Sequence, residues 1–402
     1  MISRKYKIGA MMAIFATAST QAQDAGRIEA GSFDIIPTFS SSLSYLDNVT
    51  SSQDDTPQIY SWRATLAPQL TVATLVDSNP VQLTYRAELG KYFSSQDDDY
   101  TDHFLAATGD FELNSRHTID VSARYEDGHE DRGTGLSIGV GEAIATPDTY
   151  KSTLFDVNYI YGSITSAGQL TFSASRNTFD YDRTEENYLI RDRFINKLGG
   201  EFSYSVSPST NLVVDVTQSS VRYEYQPLDD SIRDSDVTRV LVGATWESTA
   251  ATTGFAKVGY QEKDFETTER RNFYGTDWEV GIDWQPIEYS TVRLSTSADT
   301  RETNGEGDLI RSRDYAVSWN HDWYDYLSTS VGVTTIDNIY VLNDDTIIER
   351  TDDFTIYTMS ASYQARRWLS ISFFYEYSEL SSNRDTLGYD RSNVGVSFEV
   401  TL

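Results

Sequence analysis

The strongest constraint in this sequence is a polarity that reverses at every residue, repeated in one segment after another from residue 34 onward. Val81, Leu83, Tyr85, Ala87 and Leu89 alternate with Gln82, Thr84, Arg86, Glu88 and Gly90. The same pattern runs through Ile119 to Glu126, Asp277 to Trp284 and Leu369 to Ser378. Successive side chains of a strand point to opposite faces, so each segment predicts a strand with one apolar and one polar face. No comparable run has helical spacing. The chain reads as all-β.

Segment length then selects the kind of β protein. Soluble sandwiches use strands of about five or six residues. The segments here run to about ten to fourteen, the length that crosses a bilayer at a tilt. The connections alternate as well. Short ones fall near 77–80, 114–116, 163–168, 207–209, 248–252, 286–289, 324–327 and 364–367. Long ones fall near 46–59, 93–99, 127–149, 182–193, 226–235, 266–272, 302–310, 338–352 and 379–388. That map predicts about 18 strands, an even number with both chain ends on the short-turn side, as in bacterial outer-membrane barrels. The expected fold is a single transmembrane antiparallel β-barrel over residues 23–402, with short periplasmic turns and long acidic extracellular loops. Proline cannot donate to a sheet ladder. Pro80, Pro208 and Pro286 fall in predicted short turns, and Pro57, Pro147 and Pro227 in long loops. Pro37 opens the first strand. Pro68 interrupts the second, which predicts either a bulge there or a different course for that strand.

Composition agrees with a barrel. The 402 residues carry 61 acidic against 32 basic side chains, a formal charge of −29. Only 39% are hydrophobic, as expected when each strand needs a single apolar face, yet 13% are aromatic. With no cysteine there are no disulfides, thiol nucleophiles or Cys-based zinc sites. The negative charge repels phosphate backbones and argues against nucleic acid as a partner. Arg4, Lys5 and Lys7 precede an apolar run from Ile8 to Ala18, and Thr20-Gln21-Ala22 supplies small residues for cleavage after Ala22. This reads as a secretory signal peptide over residues 1–22, its core too short to span a bilayer.

Aromatic residues gather near the ends of the apolar stripes: Tyr45, Trp62, Tyr85, Tyr125, Tyr161, Tyr204, Trp246, Tyr260, Trp278, Trp284, Trp319, Trp323, Tyr363, Trp368 and Tyr377. Amphipathic rings favour the headgroup level, which predicts two girdles. The C-terminal strand places Gly395 ahead of Phe398, Val400 and Leu402. It is similar to the assembly signal on the last strand of outer-membrane barrels, although those commonly end in Phe. The expected location is therefore the outer membrane of a Gram-negative cell. The expected partners are that membrane, its lipopolysaccharide and the barrel-assembly machinery.

Charges in the polar phase supply the first candidate site: Arg63, Arg86, Glu88, Asp120, Arg124, Asp215, Arg239, Glu247, Lys257, Lys263, Asp277, Glu279, Asp283, Arg293, Asp299, Arg301 and Glu376. Facing lipid, a charge would cost up to ~2–4 kcal/mol at the midplane, so these are expected to line the lumen. Either they border a wet pore that orients a polar solute, or they form cross-strand ion pairs that merely satisfy the wall. The second candidate is the longest loop, 127–149, with Gly133, Gly135, Leu136, Ile138, Gly139, Val140 and Gly141. Such a loop either folds inward as a constriction or stays outside. The third is a set of acidic clusters: Asp54-Asp55, Asp97-Asp98-Asp99, Glu126-Asp127 with Glu130-Asp131, Glu185-Glu186, Asp229-Asp230, Asp344-Asp345 and Asp352-Asp353. These read as solvated loops; none has the spacing of a defined calcium loop, so no metal is assigned. His103, His117, His129 and His321 are scattered without a catalytic motif. No catalytic residue and no cofactor is assigned.

More specific wording appears in the N-terminal third. Phe33-Asp34-Ile35-Ile36-Pro37-Thr38 leads to Ser44-Tyr45-Leu46-Asp47-Asn48-Val49, followed by Tyr100-Thr101-Asp102-His103 and the run from Tyr125 to Gly135. Over residues 33–135 the chain resembles the putative β-barrel porin 2 family, outer-membrane barrels often encoded with exopolysaccharide or capsule synthesis genes. That resemblance implies a channel for export or surface assembly of polysaccharide, with polysaccharide and periplasmic export proteins as partners. It implies no catalytic residues. A diffusion porin for small hydrophilic solutes and a non-conducting anchor that holds polymer through its acidic loops remain the alternatives.

Overall fold

The computed structural model describes residues 26–53, 56–163, 165–227, 232–249, 251–303, 306–342 and 348–401. The signal peptide expected at residues 1–22, Leu402, and the acidic pairs Asp54-Asp55, Asp229-Asp230 and Asp344-Asp345 lie outside the described residues. Period-two patterning gives strands throughout. After a short β1 (Ile28–Ala30) come β2 (Phe33–Leu46), β3 (Ser61–Val76), β4 (Asn79–Tyr92), β5 (Tyr100–Asn114), β6 (His117–Glu130) and β7 (Asp148–Tyr161). Next are β8 (Gly168–Tyr181), β9 (Arg193–Ser207), β10 (Thr210–Tyr223), β11 (Ser235–Thr249), β12 (Thr252–Phe265) and β13 (Phe273–Ile287). The last six are β14 (Ser290–Arg301), β15 (Leu309–Tyr324), β16 (Leu327–Val341), β17 (Arg350–Arg366), β18 (Leu369–Ser382) and β19 (Tyr389–Thr401).

Strands β2 to β19 each pair antiparallel with their sequence neighbours. The ring closes where β19 pairs with β2, from Asn393–Leu46 to Thr401–Thr38. The result is a closed barrel of 18 strands, as the alternation of connections predicts; β1 adds only a hairpin folded on β2. Nine long loops share one end: L1 (47–60), L2 (93–99), L3 (131–147), L4 (182–192), L5 (224–234), L6 (266–272), L7 (302–308), L8 (342–349) and L9 (383–388). The opposite end carries eight short turns, and the described residues of the sheet begin and end there.

Some details differ from the sequence map. Pro80 and Pro286 lie just inside β4 and β13 rather than in turns. Pro37 is the fifth residue of β2, paired with Leu70 of β3 and one step beyond the last described β19–β2 pair at Thr38. At Pro68 there is no bulge. The β3–β4 register is the same on both sides, Leu66–Leu89 and Gln69–Arg86, and only the pairs at Ala67 and Pro68 are missing. The ladder skips the proline instead of bending around it. L4 holds a single helical turn, α1 (Glu186–Leu189).

Register assigns the faces. Val240, Val258, Leu294, Val317, Val331 and Phe373 are all exposed and all belong to one continuous outer phase. The aromatics expected at the girdles share it, with Tyr204, Trp284, Trp323 and Tyr363 toward the short-turn end, Trp62, Tyr125 and Tyr260 toward the long-loop end, and Tyr85 midway along its strand. On β10 the outer phase runs Leu212, Val214, Val216 and then turns polar at Gln218, Ser220 and Arg222. A 14-residue strand is roughly 46 Å long, or roughly 35 Å tall at a ~40° tilt, against an apolar band of ~25 Å. The strands therefore project beyond the acyl layer at the long-loop end.

Adjacent residues on β14 test this assignment. Leu294 belongs to the outer phase and Ser295 to the inner. In phospholipid vesicles Leu294→Lys is expected to lower unfolding stability by ~2–4 kcal/mol, and Ser295→Lys by less than ~1 kcal/mol. Urea titrations followed by tryptophan fluorescence measure both; equal effects would contradict the register.

Candidate functional site

The inner phase gathers the charges that the sequence singled out. Lys257 on β12 donates to Glu201 on β9 at 2.7 Å and to Asp215 on β10 at 3.3 Å. Arg239 on β11 reaches over β12 to Asp277 at 2.8 Å and Glu279 at 2.6 Å on β13. Both bridges pass over an intervening strand on the inner face. Arg293 pairs with Asp283 at 2.6 Å, Arg301 with Asp314 and, at 3.6 Å, with Asp299, and Arg86 with Glu88 at 3.3 Å. The Arg86 guanidinium also lies 4.2 Å from the Phe104 ring centre. Arg63 donates to the Tyr92 hydroxyl at 3.2 Å. Arg124 is exposed on the inner phase of β6 opposite Ala106 and Leu154, with no carboxylate within 4 Å among the described residues. Asp120 stands directly opposite Asp110 and Asn158.

Near the mouth the inner wall grips L3. Asp131 opens this loop and pairs with Arg391 of β19 at 3.1 Å and with His129 at 3.4 Å. The other ring nitrogen of His129 lies 2.9 Å from Asp102, and Tyr100 stacks on the imidazole at 4.0 Å. The Tyr100 hydroxyl donates to Glu88. Burial alone would raise the Asp131 carboxyl, but the His129 hydrogen bond and the Arg391 charge outweigh it and hold the group well below the usual carboxylate range. The next residue, Arg132, is buried and donates through Nε to Asp98 of L2 at 2.7 Å and through a second nitrogen to Ser95 at 3.1 Å.

From this anchor L3 reaches across its neighbours. Gly133 (φ +79°) and Gly139 (φ +78°) adopt conformations that L side chains rarely take. A Cβ on Gly133 would come within 2.9 Å of the Ser51 Cβ in L1, and one on Gly139 would press on Leu387 of L9. Gly141 packs equally tightly on Thr50 and Gly133. Gly135 and Leu136 lie in a single tight turn, Gly135–Ser137, which leads to a half-buried Ile138 and an exposed Val140. On the other flank Arg183 of L4 pairs with Asp148 at 3.0 Å, and Tyr188 donates to the same carboxylate at 2.8 Å. Burial and that carboxylate push the Tyr188 hydroxyl up to about 12. L3 is thus held by L1, L2, L4 and L9.

A second buried cluster braces the opposite rim. Lys263 is wholly buried and paired with Glu302 of L7, which also accepts from the Tyr223 hydroxyl at 2.7 Å. Burial would raise Glu302, yet the Lys263 charge holds it below its ordinary value.

Three of the acidic clusters read as solvated are corrected by these contacts: in one, Asp131 is tied to Arg391 and His129. Asp98 is buried against Arg132, and Asp352 is buried against Arg350 at 2.5 Å. Among the described residues no three acidic or histidine side chains converge as metal ligands. The histidines lie apart, with His103 bonded to Tyr85 and His117 to Tyr159 on the outer phase. Sequence reasoning missed Arg132, Arg391 and Glu302 as site residues. The partners of Arg391 and Glu302 lie 260 and 39 residues away, and nothing local marks them. At the closing strand, Gly395 lets the Phe374 ring approach, since a Cβ would stand 2.6 Å from Cζ, while Phe398 and Val400 face outward in register with Ser41 and Phe39.

A closed 18-strand sheet with a charged inner face and a girdled outer face limits the possible families sharply. The sequence pattern of the family described as Putative beta-barrel porin 2 matches residues 21–402. The chain belongs to this family. It is a porin-like outer-membrane barrel. The match spans the whole sheet, beyond the 33–135 region where the wording is recognisable. Among solved structures the barrel is similar to Pseudomonas aeruginosa OpdK with vanillate, at 10% identity and TM-score 0.52, covering 92% of this chain and 99% of that one. A second structure of the outer membrane protein OpdK from Pseudomonas aeruginosa gives TM-score 0.50 at 10% identity, with 92% and 99% covered. Pseudomonas aeruginosa OccK5 (OpdH) gives 0.48 at 11% identity, with 92% and 98% covered. At these identities the likeness is one of fold. No curated protein matches this chain.

The rim cluster carries a prediction. Lys263→Met leaves Glu302 buried without its cation and is expected to cost about 3–5 kcal/mol. Adding Glu302→Gln should restore most of that loss. Urea midpoints of the single and double variants measure both, and an additive double variant would show that the two groups act independently.

Proposed function

We propose that this barrel is an outer-membrane channel that takes part in export or surface assembly of exopolysaccharide or capsular polysaccharide. The observation that carries the reading is the inner wall, which is polar and charged along its height. Sugars offer hydroxyls that such a wall can hydrogen-bond, and apolar ring faces that suit the inward aromatics Tyr100, Phe104, Phe179 and Tyr181. In this reading the charges from Arg63 and Arg86 around to Arg293 and Asp299 orient the passing chain. The first 22 residues direct export, and the barrel-assembly machinery reads the strand that carries Gly395, Phe398 and Val400. Periplasmic export proteins meet the short-turn end.

A second reading, a diffusion porin for small hydrophilic solutes, is favoured by L3. A loop held by four neighbours narrows the mouth and suits small solutes without rearrangement, whereas a polymer needs L3 displaced. An anchor that binds polymer without conducting is the third.

Three measurements separate them. Purified protein in planar bilayers is expected to conduct; a silent barrel would favour the anchor. Deleting residues 133–145 should raise single-channel conductance severalfold, and unchanged conductance would remove the constriction role. A deletion strain should secrete markedly less polysaccharide, and normal secretion would rule out export.

A further inference from the structure

Above the apolar band the outer face of the barrel is an acidic collar. Asp236, Glu262, Asp264, Asp353, Glu379 and Asp390 all lie on the outer phase near the long-loop end. Among the outer-phase cations at this level, Lys91 pairs with Asp99, Lys151 with Asp182 at 2.5 Å, and Arg222 with Asp236 at 3.0 Å and Glu266 at 2.7 Å, while Arg176 lies over the Phe194 ring and donates to Asn196 at 3.2 Å. Arg311 and Arg313 are the adjacent pair without such polar partners. They follow one another on the outer phase of β15, and among the described residues no carboxylate lies within 4 Å of either.

Both guanidiniums rest on aromatic rings. Arg313 stands 5.9 Å from the Trp278 ring centre and Arg311 5.7 Å from that of Phe273, within the range of cation–π attraction. Ala298, between Trp278 and Arg313, is small enough to let them meet. Asp337 is the cross-strand neighbour of Arg313, yet the arginine turns to the tryptophan. At these distances the rings attract the guanidiniums without taking up their N–H groups, which among the described residues have no carboxylate partner, an arrangement suited to bidentate binding of a phosphate.

Depth agrees with such a ligand. Immediately below Arg313 the outer phase of β15 becomes Tyr315, Val317 and Trp319, all exposed, so Arg313 marks the top of the acyl layer. Immediately above, Arg311 lines a cleft of about 810 Å³ between L6, L7 and L8, together with Tyr274, Phe273 and Leu342. Arg270 borders the same cleft and is tied to Asp308.

We propose that Arg311 and Arg313 dock the phosphate of a phosphorylated glycolipid of the outer leaflet, its sugar in the cleft and its acyl chains against Tyr315 and Val317. On a collar that otherwise repels anionic headgroups, this site gives the lipid a direct hold that needs no bridging metal.

Barrel purified in detergent is titrated with diphosphorylated lipid A and with the same glycolipid stripped of phosphate, the bound fraction being read by native mass spectrometry. The phosphorylated form should bind at least about tenfold more tightly, and Arg311→Gln/Arg313→Gln should remove that preference. EDTA should leave it intact. Equal binding of the two lipids, an unaffected double variant or loss of binding in EDTA would overturn the proposal. So would displacement by inorganic phosphate or by a soluble anionic polysaccharide at equal concentration, which would point to a different ligand. If the double variant does not fold, Arg313→Gln alone, at the more exposed position, is expected to lose severalfold in affinity and carries the same test.

Discussion

Everything in this structure depends on satisfying backbone hydrogen bonds where water is absent. In hydrocarbon an unpaired N–H or C=O costs several kcal/mol, so a β protein must bring its last strand back to its first. The pairing of β19 with β2 does that over the nine residue pairs from Asn393–Leu46 to Thr401–Thr38. Once the ring is closed, sequence alternation is converted into two surfaces of opposite character, and a shift of one residue anywhere would turn charges into lipid. Pro68 shows how firmly this register is held: the sheet gives up two local pairs with β4 and keeps its phase.

The inner surface faces a different problem. An 18-strand ring is too wide for side chains to fill, so its charges are either hydrated or paired with one another. Pairing is widespread, and Lys257 and Arg239 reach across intervening strands to find carboxylates. A wall built from such pairs is polar without being strongly charged at any one point. At the half-buried Asp131 and the wholly buried Lys263, each ion has both an opposite charge and a further hydrogen-bonding or ring partner. That is the condition under which a buried charge is tolerated.

Most of the fold was legible in the sequence because closure leaves a local trace. Alternation is visible residue by residue, strand length shows in segments such as Ile119 to Glu126, and the contrast between short and long connections appears in loops such as 127–149. The inner phase of Arg239 or Lys257 follows from the same parity. Other features left no such trace. Whether Pro68 makes a bulge or a gap depends on what β4 does opposite it. The burial of Asp98 depends on an arginine in another loop, so a run of three aspartates that reads as solvated contains one that is not. The seating of L3 rests on glycine conformations and on Thr50 and Leu387, residues with no distinguishing pattern of their own. Pairwise, long-range complementarity is what a single sequence conceals.

The bridge between Asp131 and Arg391 joins residues 260 positions apart. It cannot exist until the final strand has taken its place beside the first. During insertion into the membrane L3 therefore has nothing on β19 to hold it until the ring closes. An L3 tied to Arg391 is thus the mark of a ring whose circle is already complete.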